Sequence, residues 1–240
     1  MVLDKNKICF ITCVNNEALY RKCLHFLSLL ATPPEMTVEY RAVRGAASMC
    51  AGYNQAQRES DAKYKIYLHQ DVLLFYPYFM QRILRLFAEQ DIGLIGLIGA
   101  QNLPESGCWW ESRYPYGRVI DSHRGFLSEL NHPPPPPHTH THTEKYREVI
   151  VVDGLLMATQ YDLFWREDLF QDWHFYDASQ CLEFYKAGYR TVVPAQLCSW
   201  ALHECGVPSL AHYAEQSRIF QTVYAPEISR QRREFEARQG

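Results

Sequence analysis

Tyr67-Leu68-His69-Gln70-Asp71-Val72 is the stretch on which the fold turns. Residues 65–68 read as an apolar strand that stops at a His-x-Asp motif. An imidazole and a carboxylate at the carboxyl end of a strand suit a chemistry that handles a divalent cation and a diphosphate. A strand-terminal Asp is equally a turn former or a helix cap, so the motif gains its meaning from its surroundings. Far downstream, Trp200-Ala201-Leu202-His203-Glu204-Cys205-Gly206 offers a second imidazole after another apolar run.

On either side of the motif, strands alternate with helices. Residues 8–14 form a β-branched apolar run that ends at Asn15-Asn16-Glu17, a turn and helix start. Leu19, Cys23, Phe26, Leu27 and Leu30 then follow helical spacing. Residues 37–43 predict a second strand, and the small residues of 46–56 a closely packed helix. After the third strand, 77–89 is amphipathic with Phe79, Ile83, Leu86 and Phe87 inward, and 92–98 predicts a fourth strand. This alternation argues for an α/β protein with a doubly wound, mostly parallel sheet and ligands outside the strand carboxyl ends. Further on, 149–152 predicts a strand, 160–165 a short helix, 177–187 a longer helix stopped by Gly188, and 191–193 a strand. Residues 209–224 are amphipathic and predict a terminal helix.

Residues 101–147 break the rhythm. Gly, Pro, Trp and Tyr dominate 101–120, and 131–143 holds five consecutive prolines followed by His138, His140 and His142 in alternation. Polyproline is stiff and cannot pair in a sheet, so an irregular surface excursion is expected. Alternating histidines can bind a transition metal, but low-complexity composition alone accounts for them. The expected division is a single domain over 1–240. Its parts are a nucleotide-binding half (1–100), the excursion (101–147), an acceptor and catalytic half (148–206) and a helical tail (207–240).

The chain has 240 residues, 47% of them hydrophobic and 21% charged, with a net charge of −3, and reads as a soluble globular protein. Mixed charges argue against a nucleic-acid partner, and the cluster Arg230-Gln231-Arg232-Arg233 reads as a solvated helix end. The longest apolar runs are too short for a membrane span. Residues 1–7 lack the order of a signal peptide, which predicts a cytoplasmic protein. Eight cysteines, at 9, 13, 23, 50, 108, 181, 198 and 205, include no Cys-x-x-Cys pair and read as reduced thiols.

Three segments carry a family resemblance: Val152-Asp153-Gly154-Leu155-Leu156-Met157-Ala158-Thr159, then the stretch from His174 through Phe175-Tyr176-Asp177 to Phe184, then Ala187-Gly188-Tyr189-Arg190-Thr191-Val192-Val193-Pro194. In order and spacing they resemble the family 2 glycosyltransferases, and look closest to the branch named for streptomycin-biosynthesis-type enzymes. The resemblance covers about residues 7–206. It implies a GT-A fold, a nucleotide-diphosphate sugar donor that is UDP-linked, an acceptor of unknown class and a divalent metal bridging the phosphates. The family's Asp-x-Asp motif maps onto His69-Gln70-Asp71, with His69 in place of the first Asp. Asp71, His69 and His203 would hold Mn²⁺ more readily than Mg²⁺, because imidazole suits the former. The family's base maps onto Asp177, with Tyr176 where Glu is commoner, and a base there gives transfer with inversion. Asn15, Asn16, Glu17, Arg44, Asn54 and Gln70 match the donor-contact region, and Asp153, Gly154, Trp109, Trp110 and Tyr176 the acceptor side.

Each residue has a structural alternative. Asp177 fits a helix N-cap, His203 a half-buried histidine, Asp153 a turn, and the aromatic cluster of Trp109, Trp110, Tyr114 and Tyr116 local packing. The degenerate first motif leaves open a catalytically silent binding module on the same fold. A nucleotidyltransferase is disfavoured, since no glycine-rich basic loop follows the first strand.

Overall fold

The computed structural model describes residues 2–123, 125–133, 145–207 and 209–239. The histidine alternation at 138–142 and all but the first of the five prolines lie outside the described residues. In chain order the elements are β1 (Asp4–Val14), α1 (Glu17–Ser28), β2 (Thr37–Arg44), α2 (Met49–Glu59), β3 (Ala62–Leu68), β4 (Val72–Leu74), α3 (Phe79–Phe87), β5 (Ile92–Gly96), β6 (Ile98–Ala100), β7 (Pro115–Asp121), β8 (Ser128–His132), β9 (Tyr146–Val149), β10 (Val151–Val152), β11 (Leu156–Thr159), α4 (Tyr176–Lys186), β12 (Arg190–Pro194), β13 (Ala201–His203) and α5 (Tyr213–Gln239).

The main sheet has the order β2-β1-β3-β11-β5-β12-β9. Strands β1, β2, β3, β5 and β12 run one way, and β11 and β9 run against them. Its centre is buried on both faces, since every residue of β5 and β11 is buried, and such strands read as unbroken apolar runs. The amphipathic α3 puts Phe79, Met80, Ile83, Leu86 and Phe87 into the core, as its spacing predicts. The carboxyl ends of the parallel β1, β2 and β3 open on one side, which is where open α/β sheets place their ligands.

A second sheet, β10-β6-β7-β13-β4 with β8 on β7, packs beside the first. The run expected as one strand over 92–98 is shared between the two sheets, passing from β5 to β6 at Leu97. Gly99 allows this junction: a Cβ there would lie 2.0 Å from the Val151 carbonyl oxygen. Within the stretch expected to be irregular, β7 and β8 pair from Gly117↔His132 to Asp121↔Ser128 and supply two strands of this sheet.

The helix expected over 160–165 does not form. Its polar groups have distant partners instead. The Asn54 side chain bonds both the N–H (2.9 Å) and the carbonyl (2.8 Å) of Trp165, Gln160 Nε2 donates to the Ile92 carbonyl (2.6 Å), and Asp162 pairs with the fully buried Lys65 ammonium (2.9 Å). Tertiary contacts thus override a weak local preference. The terminal helix runs to 239, well past 224 and through Pro226. It continues because Phe220, Tyr224, Ile228 and Gln231 are buried, and Gln231 donates to the Leu103 carbonyl (2.9 Å). The cluster expected as a solvated helix end lies inside the helix and remains largely in solvent, with Arg230 over the Tyr185 ring and Arg232 paired with Glu105.

Candidate functional site

Strand pairing assembles the first half of the site. Leu68 ends β3, and the His69 N–H donates to the Leu155 carbonyl (3.1 Å), fixing the turn into β4. Strand β13 pairs antiparallel with β4, placing His203 opposite Val72, and the Glu204 N–H donates to the Asp71 carbonyl (2.9 Å). The two ends of the chain's His-x-Asp and Leu-His segments therefore meet. His69 Nδ1 lies 3.2 Å from His203 Nε2, and His203 Nε2 lies 3.4 Å from Asp71 Oδ1. One donor atom from each of the three residues falls within a 4.8 Å group.

This trio fits a divalent cation. Asp71 Oδ1 is buried without a hydrogen-bond partner, because its contact with His203 has ion-pair distance but not hydrogen-bond geometry, and a buried orphan oxygen is costly unless something satisfies it. Cis ligands of an octahedral ion with bonds of about 2.1 Å are about 3 Å apart, close to the two spacings observed. The charges of His69 and Asp71 agree with that donor set, and His203 must give up its proton to join it. Burial, then the neighbouring His203, push His69 down to about 4 and keep it neutral. Burial opposes the charge on His203, but the Asp71 carboxylate 3.4 Å away, with Asp153 and Asp121 beyond, outweighs it and raises its pKa. Burial likewise opposes ionisation of Asp71, and the two histidines overcome it, leaving its pKa below the ordinary value.

The second half of the site is the start of α4. Phe175, at φ 58°, precedes the helix in the left-handed conformation, so Asp177 is in the first turn and is not its N-cap. Asp177 Oδ2 accepts the Gly154 N–H (3.0 Å) and Oδ1 the Ala178 N–H (2.8 Å). Burial, and then the nearby Asp153 carboxylate, push Asp177 up to about 7. Asp153 is held by the Leu155 N–H (2.8 Å) and by Trp109 Nε1 (3.0 Å). Tyr176 joins the halves, since its hydroxyl hydrogen-bonds His69 Nε2. Gly154 is required beneath it: a Cβ would come within 2.1 Å of that hydroxyl oxygen.

A cleft of about 210 Å³ adjoins the trio and includes Asn15, His69, Gln70 and Asp71 in its lining. Gln70 Oε1 accepts the N–H groups of both Asn15 (3.0 Å) and Asn16 (2.8 Å), tying the turn after β3 to the turn after β1. Asn16 caps α1 through the Ala18 N–H (3.0 Å). Glu17 and Arg44 pair at 2.6 Å on the surface, outside the cleft lining. Asn54 is placed elsewhere, buried and fully engaged with Trp165. Trp109 is buried against Asp153, whereas Trp110 is exposed. The cleft also contains Cys13, Val43, Gly45, Ala46, Met49 and Trp173, which sequence reasoning did not assign. The small residues after β2 were the available signal for Gly45 and Ala46; Trp173 had none. A larger groove of about 340 Å³ lies between the β9–β12 edge and α5, among Tyr185, Arg190 and Glu234, and no site residue lines it.

Comparison with known proteins places the geometry in context. A family model described as a glycosyltransferase-like family matches residues 9–224. No curated protein matches the chain. Among solved structures, the chain is similar to the mannosyltransferase PcManGT from Pyrobaculum calidifontis in complex with GDP-Man and Mn²⁺, at TM-score 0.54 and 12% identity, covering 94% of this chain and 70% of that one. It is similar to S. aureus TarS in complex with UDP, at 0.52 and 11%, covering 89% and 64%. It is similar to GalNAc-T7 with UDP, GalNAc and Mn²⁺, at 0.56 and 10%, covering 90% and 48%. At such identities the likeness shows a shared fold, the GT-A type expected from the sequence, and the chain spans only about half to 70% of these proteins' lengths.

Proposed function

The chain belongs to the glycosyltransferase-like family, and from that premise we propose that it transfers a sugar from a nucleotide-diphosphate sugar, uridine-linked, to an acceptor hydroxyl with inversion. His69, Asp71 and His203 hold a divalent cation, Mn²⁺ in preference to Mg²⁺, and Asp177 is the general base. The branch is the streptomycin-biosynthesis-type one, on the strength of His69-Gln70-Asp71 and Phe175-Tyr176-Asp177. The observation that carries the reading is the pairing of an orphaned, buried Asp71 oxygen beside two imidazoles with a base-like Asp177 across the Tyr176 bridge. Neighbours of the same fold bind GDP-Man or UDP, two of them with Mn²⁺, which supports the donor class and the ion.

In this mechanism the donor's base and ribose occupy the cleft at the ends of β1 and β2, and its diphosphate points at the trio. Asp177 takes the proton of the acceptor hydroxyl as that oxygen attacks the anomeric carbon from the face opposite the diphosphate. A pKa near 7 matches the task, since such a base is substantially ionised at neutral pH yet strong enough to accept the proton. The Gly154 N–H holds the carboxylate in place. A bound cation offsets the charge that develops on the departing diphosphate. Burial of Cys9, Cys23, Cys50 and Cys181 as free thiols supports a cytoplasmic setting for this reaction. Among the described residues no helix is long and apolar enough to cross a membrane.

The test is a thermal-shift series with UDP, GDP, dTDP and CDP, each with and without Mn²⁺, followed by UDP-sugar turnover. A Mn²⁺-dependent rise with UDP alone is expected, because a ligand that binds only the native state stabilises it by mass action. No response to any nucleotide sinks the reading. One observation favours a second reading, a silent binding module: both Asp177 oxygens already accept backbone N–H groups, as a purely structural carboxylate would. That reading predicts a nucleotide shift with neither transfer nor donor hydrolysis.

A further inference from the structure

The two places where the sequence departs from the family pattern touch each other. His69 stands where the first Asp of the motif is usual, Tyr176 stands where a Glu is usual, and the Tyr176 hydroxyl hydrogen-bonds His69 Nε2 across 107 residues of chain. That bond leaves Nδ1 as the nitrogen facing His203 Nε2, which in turn lies against Asp71. A neutral imidazole has one N–H and one lone pair, so if Nε2 donates, the lone pair is on Nδ1, the atom that faces His203. Metal-bound histidines are commonly oriented in this way through their second nitrogen.

Tyr176 is well suited to hold such an orientation. It is 4% exposed, and its ring packs against Tyr53 and Trp165, each with its centroid 6.0 Å away. Its hydroxyl is wedged over Gly154, where no side chain fits. Its neighbour Asp177 takes the N–H of the same Gly154. One dipeptide at the start of α4 therefore touches a ligand of the trio with its first side chain and presents the base with its second.

We propose that Tyr176 is a positioning residue whose hydroxyl accepts the His69 Nε2–H, fixing Nδ1 as the metal-facing atom and holding the cation site in register with Asp177. This rests on the cation site assigned above. The experiment measures Mn²⁺ affinity from the electron paramagnetic resonance signal of free Mn²⁺, for the full chain with and without UDP. The proteins compared are wild type, Tyr176→Phe, His69→Ala and the double variant. Tyr176→Phe keeps the ring and its packing, and a thermal melt verifies that it folds. The expected result is a loss of about 10–100-fold in Mn²⁺ affinity for Tyr176→Phe, the range typical of an outer-shell partner. In the His69→Ala background the same change should have no further effect, because the hydroxyl then has nothing to orient. Affinity within twofold of wild type for Tyr176→Phe, or an equal loss in both backgrounds, overturns the proposal while leaving the cation site standing. A wild-type chain that does not bind Mn²⁺ at all overturns the cation site and this proposal together.

Discussion

Asp71 and Asp177 are both half-buried carboxylates, one at the end of a strand and the other in the first turn of a helix, and the protein treats them oppositely. Burial acts to raise both. Around Asp71 two imidazoles reverse that effect and keep the group ionised. Around Asp177 the nearest charge is a second carboxylate, Asp153, which adds to burial and lifts the group to about 7. The sign of the neighbour, more than the depth of burial, decides whether a carboxylate becomes a permanent anion or an exchangeable proton site. One is suited to binding a cation and the other to moving a proton.

The sharpest way to break this contrast is Asp177→Asn, which removes the proton site and spares the anion. Transfer should fall by about 10²–10⁴-fold in steady-state kinetics while UDP binding stays at the wild-type level. Activity within tenfold of wild type would remove Asp177 from the role of base. The same residue should leave a signature in stability. Its folded pKa is raised from an ordinary 3.8 to about 7, so its favourable contribution is complete below pH 4 and lost as pH rises through 7. Denaturant titrations should therefore find Asp177→Asn more stable than wild type at pH 8, by at most about 4 kcal/mol, with the advantage gone near pH 4. An advantage independent of pH would show that ionisation is not its source.

Asp71→Ala tests the other carboxylate. Loss of a direct ligand should weaken Mn²⁺ by about 100-fold or more, beyond what an outer partner contributes, and abolish the Mn²⁺-dependent part of the UDP thermal shift. An unchanged shift would mean that the trio is not the cation site. The smallest effect should come from Gly154→Ala, whose added methyl meets the Tyr176 hydroxyl between the two carboxylates. Overpacking of this kind costs about 1–3 kcal/mol, readable as a lower urea midpoint. It should disturb Mn²⁺ binding and transfer together, as Asp71→Ala should more severely, whereas Asp177→Asn separates them.

The sequence was legible where chemistry and periodicity coincide. Strands β1 and β3 are apolar runs cut off by polar residues, and α3 carries its inward face at helical spacing, so their placement needed no distant information. The trio was legible because a strand end is a known address for ligands, and β4–β13 pairing then brings His203 home. What escaped was long-range. Asn54 matches the donor-contact region by resemblance, and its burial against Trp165, 111 residues away, has no local signal. Gln70 lines the cleft as a donor contact should, but its tie to the Asn15 and Asn16 N–H groups, more than 50 residues away, has no local signal. The 160–165 segment has enough apolar spacing for a helix, and only the pull of Lys65, Ile92 and Asn54 on its polar groups undoes it. The short strands of the second sheet have too few residues for any period to show.

The place of β11 in the main sheet has a consequence for the newborn chain. It lies antiparallel between β3 and β5, yet it is made from residues 156–159, long after both neighbours have left the ribosome. Until then β3 and β5 each present an unsatisfied edge of apolar backbone, a template for pairing with another molecule. Synthesis proceeds at about 5–20 residues per second, so that exposure lasts for seconds. A fragment ending at residue 150 should accordingly aggregate, whereas one that includes residues 156–159 and β12 should recover solubility, and chaperone demand in the cell should peak at that length of nascent chain.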